Sequence, residues 1–258
     1  PTNGIHGHSV LGRARYSRSI PGPNRTGLRG PEQAKAKRPS MNELGINTIR
    51  PQLEEVVQAI SERFESADRA RDLSLSMQRK IIKHCSLSIR ALHRLEWDEA
   101  EKLMTTAREL LDEAEKAVGD FPEIFYAGFL QDAQKEYAEA RLTQSLIRGS
   151  KLPSPKDLRV DFAPYLNGMG EAVGEMRRYT LDRIRAGNLE ESERVLELMD
   201  EIYCALIGLD YPDAITRGLR RTTDLARACL ERTRGDLTNH FDRRRVEKAL
   251  AYIESKQL

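Results

Sequence analysis

Residues 97–119 read WDEAEKLMTTARELLDEAEKAVG, and this stretch decides the fold class. Its apolar residues Leu103, Ala107, Leu110, Leu111, Ala114 and Val118 recur three and four apart, which lines one face of an α-helix. Trp97-Asp98 opens the run, and Gly119 stands where a left-handed cap would end it. The same period extends in both directions. Upstream, Leu53, Val56, Val57, Ile60 and Phe64 predict a first helix from Asn47-Thr48, with Pro51 tolerated in its first turn. Leu73, Leu75, Met77, Ile81, Ile82, Cys85, Leu87, Ile89 and Leu92 predict a second, with a break near Ala67-Asp68. Downstream, helices are expected from Pro122 to Arg148, from Asp161 to Ala186, from Leu189 to Ile207 and from Asp213 onward, the last with an interruption at Gly235-Asp236.

No segment alternates as a strand does, because the β-branched residues fall at helical spacing. The expectation is an all-α, antiparallel bundle of about seven long helices over residues 41–258. Residues 1–40 hold five of the eleven prolines and six of the seventeen glycines without an apolar period, so they read as a disordered basic leader or an upstream extension. That leader carries eight Lys or Arg against Glu32 alone, leaving 34 basic and 39 acidic residues from Met41 onward. A mildly acidic body excludes a uniformly basic clamp, so nucleic acid would have to be held by local patches. Cys85, Cys204 and Cys229 are too scattered for a disulfide framework or a zinc site and read as buried hydrophobes. No run is apolar enough to span a membrane, and a cytoplasmic protein is expected.

Two features carry chemistry. Asp132, Glu136 and Glu139 lie at i, i+4 and i+7, and Glu171 and Glu175 at i, i+4 in the next long helix. Packed antiparallel, these helices would converge their carboxylates on Mg²⁺ or Mn²⁺, although the same spacing also describes an ordinary acidic helix surface. The string Gly168-Met169-Gly170-Glu171-Ala172-Val173-Gly174 follows no strand and reads as close helix packing rather than a dinucleotide loop. The second feature is a basic stripe: Lys83, Arg90 and Arg94 share a face, with Arg79 and Lys80 one turn away. It suits a phosphate backbone, or else a solvated face paired with acids. His84, His93 and His240 have no metal spacing and read as polar or packing residues, and Trp97 reads as core.

Specific strings then resemble one family. His84-Cys85-Ser86-Leu87-Ser88-Ile89-Arg90-Ala91-Leu92-His93-Arg94 is similar to the Ser-x-x-Ile-Arg-x-x-His-Arg signature of translin and Trax. Lys135-Glu136-Tyr137-Ala138-Glu139-Ala140 resembles the family's Gln-Glu-Tyr-x-Glu-Ala motif, and Tyr165-Leu166-x-Gly168 through Gly174-Glu175-Met176-Arg177-Arg178 its Tyr-Leu-x-Gly and Gly-Glu-Leu-x-Arg block. The resemblance covers roughly residues 48–255. It implies a helical bundle assembled as a homo-octameric shell around single-stranded RNA or DNA. It further implies a Trax-like, Mg²⁺- or Mn²⁺-dependent endoribonuclease, or alternatively a translin-like binder without catalysis. Carried over, Glu136, Glu139 and Glu175 hold the ion, Glu171 is a fourth ligand or the base, and Arg79, Lys80, Lys83, Arg90 and Arg94 bind nucleic acid. Glu171 stands where Trax-type members have an aspartate, which moves its carboxylate by about 1.5 Å.

Overall fold

The computed structural model describes residues 46–256, and the leader expected over 1–40 lies outside them. The chain divides between Gln52 and Leu53 into two units, of which the first is described only over residues 46–52 and the second holds the helical bundle. Among the described residues all regular structure is helical: α1 (Ile46–His93), α2 (Trp97–Val118), α3 (Pro122–Phe125), α4 (Phe129–Arg148), α5 (Pro155–Leu158), α6 (Phe162–Arg185), α7 (Leu189–Ile207), α8 (Asp213–Thr216) and α9 (Leu219–Lys256). No helix is long and apolar enough to cross a membrane.

The all-α expectation holds, and the segmentation differs for local reasons. The two upstream helices are one, because nothing at Ala67-Asp68 breaks a helix and Arg71 bridges Asp68 and Asp72 across the junction. Gly235 likewise leaves α9 continuous, since an interior glycine costs about 1 kcal/mol but keeps its N–H. The helix expected from Pro122 is instead split by Gly128, whose φ of 112° ends α3 and restarts the chain as α4. Arg217 and Gly218, at φ 49° and 90°, separate α8 from α9 in the same way. Gly119 ends α2 in a right-handed conformation, not as a left-handed cap.

Successive long helices form antiparallel hairpins. Ser88 of α1 bonds the Ala100 carbonyl of α2, and Trp97 and Glu101 at the start of α2 meet Arg148 and Arg141 near the end of α4. Tyr179 of α6 meets Glu191 of α7, and Asp200 of α7 meets Arg234 of α9. The exception is set by the 149–161 connection. It returns the chain to the start of α4, where the Asp161 N–H bonds Gln134, so α6 runs parallel to α4 rather than antiparallel. Tyr165 fixes this connection by donating to the Pro153 carbonyl, and Ser154 with Asp157 caps α5 reciprocally.

Helix α6 is the centre of the packing, and its glycines explain why. A Cβ at Gly168 would lie 2.7 Å from the Lys135 carbonyl and 2.9 Å from the Glu139 nitrogen of α4. At Gly170 it would lie 2.5 Å from Thr222 of α9. The close-packing reading of this string therefore holds at both positions, whereas Gly174 faces open space. Met77, Ile81, Cys85, Ile89 and Leu92 bring the C-terminal half of α1 onto the same core, with Leu111, Leu142, Met176, Met199 and Leu230. Of the cysteines only Cys85 is buried, while Cys204 is exposed and Cys229 intermediate. Trp97 is partly buried under the Arg148 guanidinium, 4.5 Å from its ring, rather than fully in the core.

Candidate metal and nucleic-acid site

The parallel approach at Gly168 places the next turn of α6 beside the acidic face of α4. Glu136, Glu139 and Glu171 each bring a carboxylate oxygen within 4.8 Å of the other two. The acidic faces thus converge without the antiparallel packing expected. Asp132, the other member of the sequence stripe, is exposed one turn earlier. Glu175 stands on the flank and is committed elsewhere: its Oε2 is 2.5 Å from Nε2 of His93 on α1. The geometry therefore makes Glu171, rather than Glu175, the third carboxylate of the group.

His93 is almost wholly buried, and its Nδ1 has no hydrogen-bond partner among the described residues. Nε2 is the ring nitrogen turned to the Glu175 carboxylate, and a carboxylate oxygen accepts there. A histidine that reads from sequence as a packing residue is thus part of the site's frame, holding one acid in place across α1 and α6. Its signal is its place in the Ile-Arg-x-x-His-Arg string.

Lys135 is a second member of the site that its spacing does not mark. Its Nζ lies 2.7 Å from Glu171 and 3.4 Å from Glu136, bridging α4 and α6. One ammonium does not balance the group. Burial, and then the charges of Glu136, Glu171 and Glu175, push the Glu139 carboxyl up to about 8. Burial also raises Glu136, with Lys135 pulling the other way. Beneath them burial holds the Cys85 thiol well above its usual range, and Glu136 and Glu139 add to that rise. Like charges gathered in a partly desolvated place hold protons until a cation arrives.

The donor set fits a hard divalent ion. Three carboxylates on two helices supply oxygen ligands of the kind Mg²⁺ and Mn²⁺ take. Among the described residues no histidine or thiol joins the group as a softer ligand, since His93 is turned to Glu175 and Cys85 is a buried thiol.

The basic stripe divides. Arg79, Lys80, Lys83 and Arg90 are exposed and form no ion pair among the described residues. Arg90 lines a hollow of about 160 Å³ together with Glu136, Glu139 and Glu175, so it is the member the fold brings to the acids. Arg178 of α6 lines the same hollow and lies outside the stripe expected from the sequence, although it ends the Gly174–Arg178 string. Arg94 departs from the expectation. Past the end of α1 it turns to Glu96, with bonds of 2.8 and 2.5 Å, and is committed to that corner.

Comparison with known proteins agrees with this construction. No protein-family model matches the chain. It is similar to the crystal structure of AfC3PO at 35% identity and a TM-score of 0.68, over 73% of this chain and 98% of that one. The structure of the AfC3PO–duplex RNA complex matches at 35% identity and a TM-score of 0.67, over 73% and 97%. Apo-NeC3PO, at 18% identity and a TM-score of 0.65 over 71% and 96%, shares the fold. An uncharacterized protein of Methanocaldococcus jannaschii is 29% identical over 192 residues, 72% of this chain and 83% of that protein. With its helical bundle, its sequence strings and a relative above 30% identity matched over nearly its whole length, the chain belongs to the translin/Trax family.

Proposed function

We propose that this protein binds single-stranded RNA or DNA and, with Mg²⁺ or Mn²⁺, cuts RNA as an endoribonuclease in a homo-oligomeric shell. The observation that carries the reading is the convergence of Glu136, Glu139 and Glu171 within 4.8 Å. Those three residues hold the ion. When bound, such an ion polarises a phosphodiester and lowers the pKa of water beside it. Glu175, held on the flank of the group by His93 through one carboxylate oxygen, would orient the attacking water with the other. Arg90 and Arg178, at the mouth of the same hollow, draw the phosphate in.

AfC3PO is described in complex with duplex RNA, which supports RNA as the ligand and makes a duplex the necessary comparison substrate. The shell rests on an apolar row along α1, where Leu53, Val57, Ile60 and Phe64 are each about half exposed or more and suit further copies of the chain. An octamer is the form we propose. A cytoplasmic setting is consistent with its free cysteines.

The second reading, a binder without catalysis, is favoured by Lys135. Its ammonium already occupies part of the electrostatic room an ion would take. Incubating labelled single-stranded and duplex RNA with Mn²⁺, with EDTA, and with a Glu136→Gln/Glu139→Gln variant separates the two readings. Cutting that needs metal and is lost in the variant supports the nuclease. RNA that stays intact but is bound in a salt-dependent way supports the binder.

A further inference from the structure

On the far side of Lys135 and Glu171 a second hollow, of about 430 Å³, opens between α4, α6 and the corner joining α8 to α9. Arg217 and Arg221 line it, both exposed and neither in an ion pair among the described residues. Nearby Arg220, by contrast, reaches Asp210 at 3.5 Å. Asp132 also lines the hollow. With Lys135 and Glu171 paired to each other, two guanidinium groups face one carboxylate, and the hollow carries a net positive charge.

The corner that presents these arginines is built rigidly. Arg217 is held at φ 49°, a conformation that costs a non-glycine residue of order 1 kcal/mol. Asp213 secures it by accepting from the Arg217 N–H at 2.7 Å through its carbonyl and from the Gly218 N–H at 2.6 Å through its carboxylate. Asn167, buried in α6, donates to the Thr216 carbonyl at 2.8 Å and accepts from the Thr222 hydroxyl at 2.7 Å. Glu171 lies one turn beyond Asn167. The spacing between the acids and the two arginines is therefore set by one clamp.

We propose that this second hollow is a phosphate subsite for the nucleic-acid strand, occupied by a phosphate next to the one at the acidic group, with Arg217 and Arg221 as its contacts. The proposal rests on the reading of the acidic group as an RNA site. Lys135 and Glu171 line the second hollow and Glu136 lines the first, and Lys135 reaches both acids, at 2.7 and 3.4 Å, so the two hollows are neighbours across one side chain and a strand entering past Arg90 and Arg178 would continue to Arg217 and Arg221. Among the described residues no aromatic side chain lines either hollow, which makes recognition a matter of backbone charge and not of base stacking.

The test is fluorescence anisotropy of a labelled single-stranded RNA in EDTA over a range of salt, for the full chain and an Arg217→Asn/Arg221→Ala variant. Asparagine is chosen at 217 because it tolerates the left-handed conformation. Mn²⁺ binding without RNA is followed by paramagnetic resonance on the same samples. The expected result is about tenfold weaker RNA binding, a salt slope flatter by about 1.4 for two lost contacts, and unchanged Mn²⁺ binding. A wild type that binds RNA and a variant that matches it in affinity and slope would overturn the subsite while leaving the acidic site standing. A variant that also loses Mn²⁺ would overturn it by making the arginines structural. A wild type that binds no RNA would sink the broader reading and the subsite with it.

Discussion

Nζ of Lys135 lies 2.7 Å from Oε1 of Glu171, so a lysine of α4 neutralises the acid that α6 contributes to the group. The Gln-Glu-Tyr-x-Glu-Ala motif has glutamine at this position, and the lysine places a fixed positive charge where a divalent ion is expected. Replacing Lys135 by methionine keeps the stem and removes the charge. Mn²⁺ should then bind about tenfold tighter at pH 8, as expected for two like charges no longer held a few ångströms apart in a partly desolvated place. Calorimetric titration of both proteins reads the difference, and equal affinities would show that the lysine swings clear at no cost.

The Glu139 carboxyl gives the metal-free protein a pH dependence. Its value is raised from the ordinary 4.5 to about 8, so the folded chain binds a proton that the unfolded chain has already released. Stability from this group is therefore full below about pH 4.5 and is lost as pH rises towards 8. Thermal melting in EDTA should fall by on the order of 10 °C across that window. A Glu139→Gln variant should flatten the slope. Mn²⁺ should remove it too, and should itself bind about tenfold more tightly per pH unit between 6 and 8, where one proton leaves as the ion enters.

Two glycines of α6 should respond oppositely to the same change. A Cβ at Gly168 meets backbone atoms of α4 at 2.7 and 2.9 Å, which cannot rotate away. Gly168→Ala should cost about 1–3 kcal/mol and spread the carboxylates, weakening Mn²⁺ binding as well. At Gly174 nothing lies within 4 Å, and Gly174→Ala should stabilise by roughly 0.5–1 kcal/mol through helix propensity. Urea denaturation of the pair measures both signs in one experiment.

The basic stripe should also split. Arg90 lines the acidic hollow, whereas Arg94 is tied to Glu96 at an exposed corner. Arg90→Ala should weaken RNA binding severalfold and flatten its salt dependence by about 0.7, while Arg94→Ala should leave both nearly unchanged. Anisotropy at three salt concentrations distinguishes them, and equal losses would mean that the Glu96 pair opens for the ligand.

The sequence carries the helices of this protein because their apolar residues repeat at 3.6, and Leu103 through Val118 needs no tertiary context to be read. What it does not carry is direction. The parallel run of α4 and α6 depends on a connection fixed by Tyr165, Pro153 and the Ser154–Asp157 cap, and only the last has a local signature, Ser-x-x-Asp. Glu136, Glu139 and Glu171 are legible as acids at helical spacing. Their choice over Glu175 is not, because His93 reaches Glu175 across 82 residues of chain and no spacing rule spans that gap. Lys135 is hidden for the converse reason: beside Glu136 it looks like an ordinary surface residue until the close approach at Gly168 turns it onto Glu171.

The most direct measurement is Mn²⁺ titration of the purified protein at pH 8, followed by paramagnetic resonance, with and without the Glu136→Gln/Glu139→Gln changes. The account predicts one bound ion per chain in the wild type, weaker binding at pH 6 and none in the variant. A wild type that leaves all the Mn²⁺ free at pH 8, with its helices intact, would contradict it and leave the three converging carboxylates as a protonated, lysine-braced contact between α4 and α6.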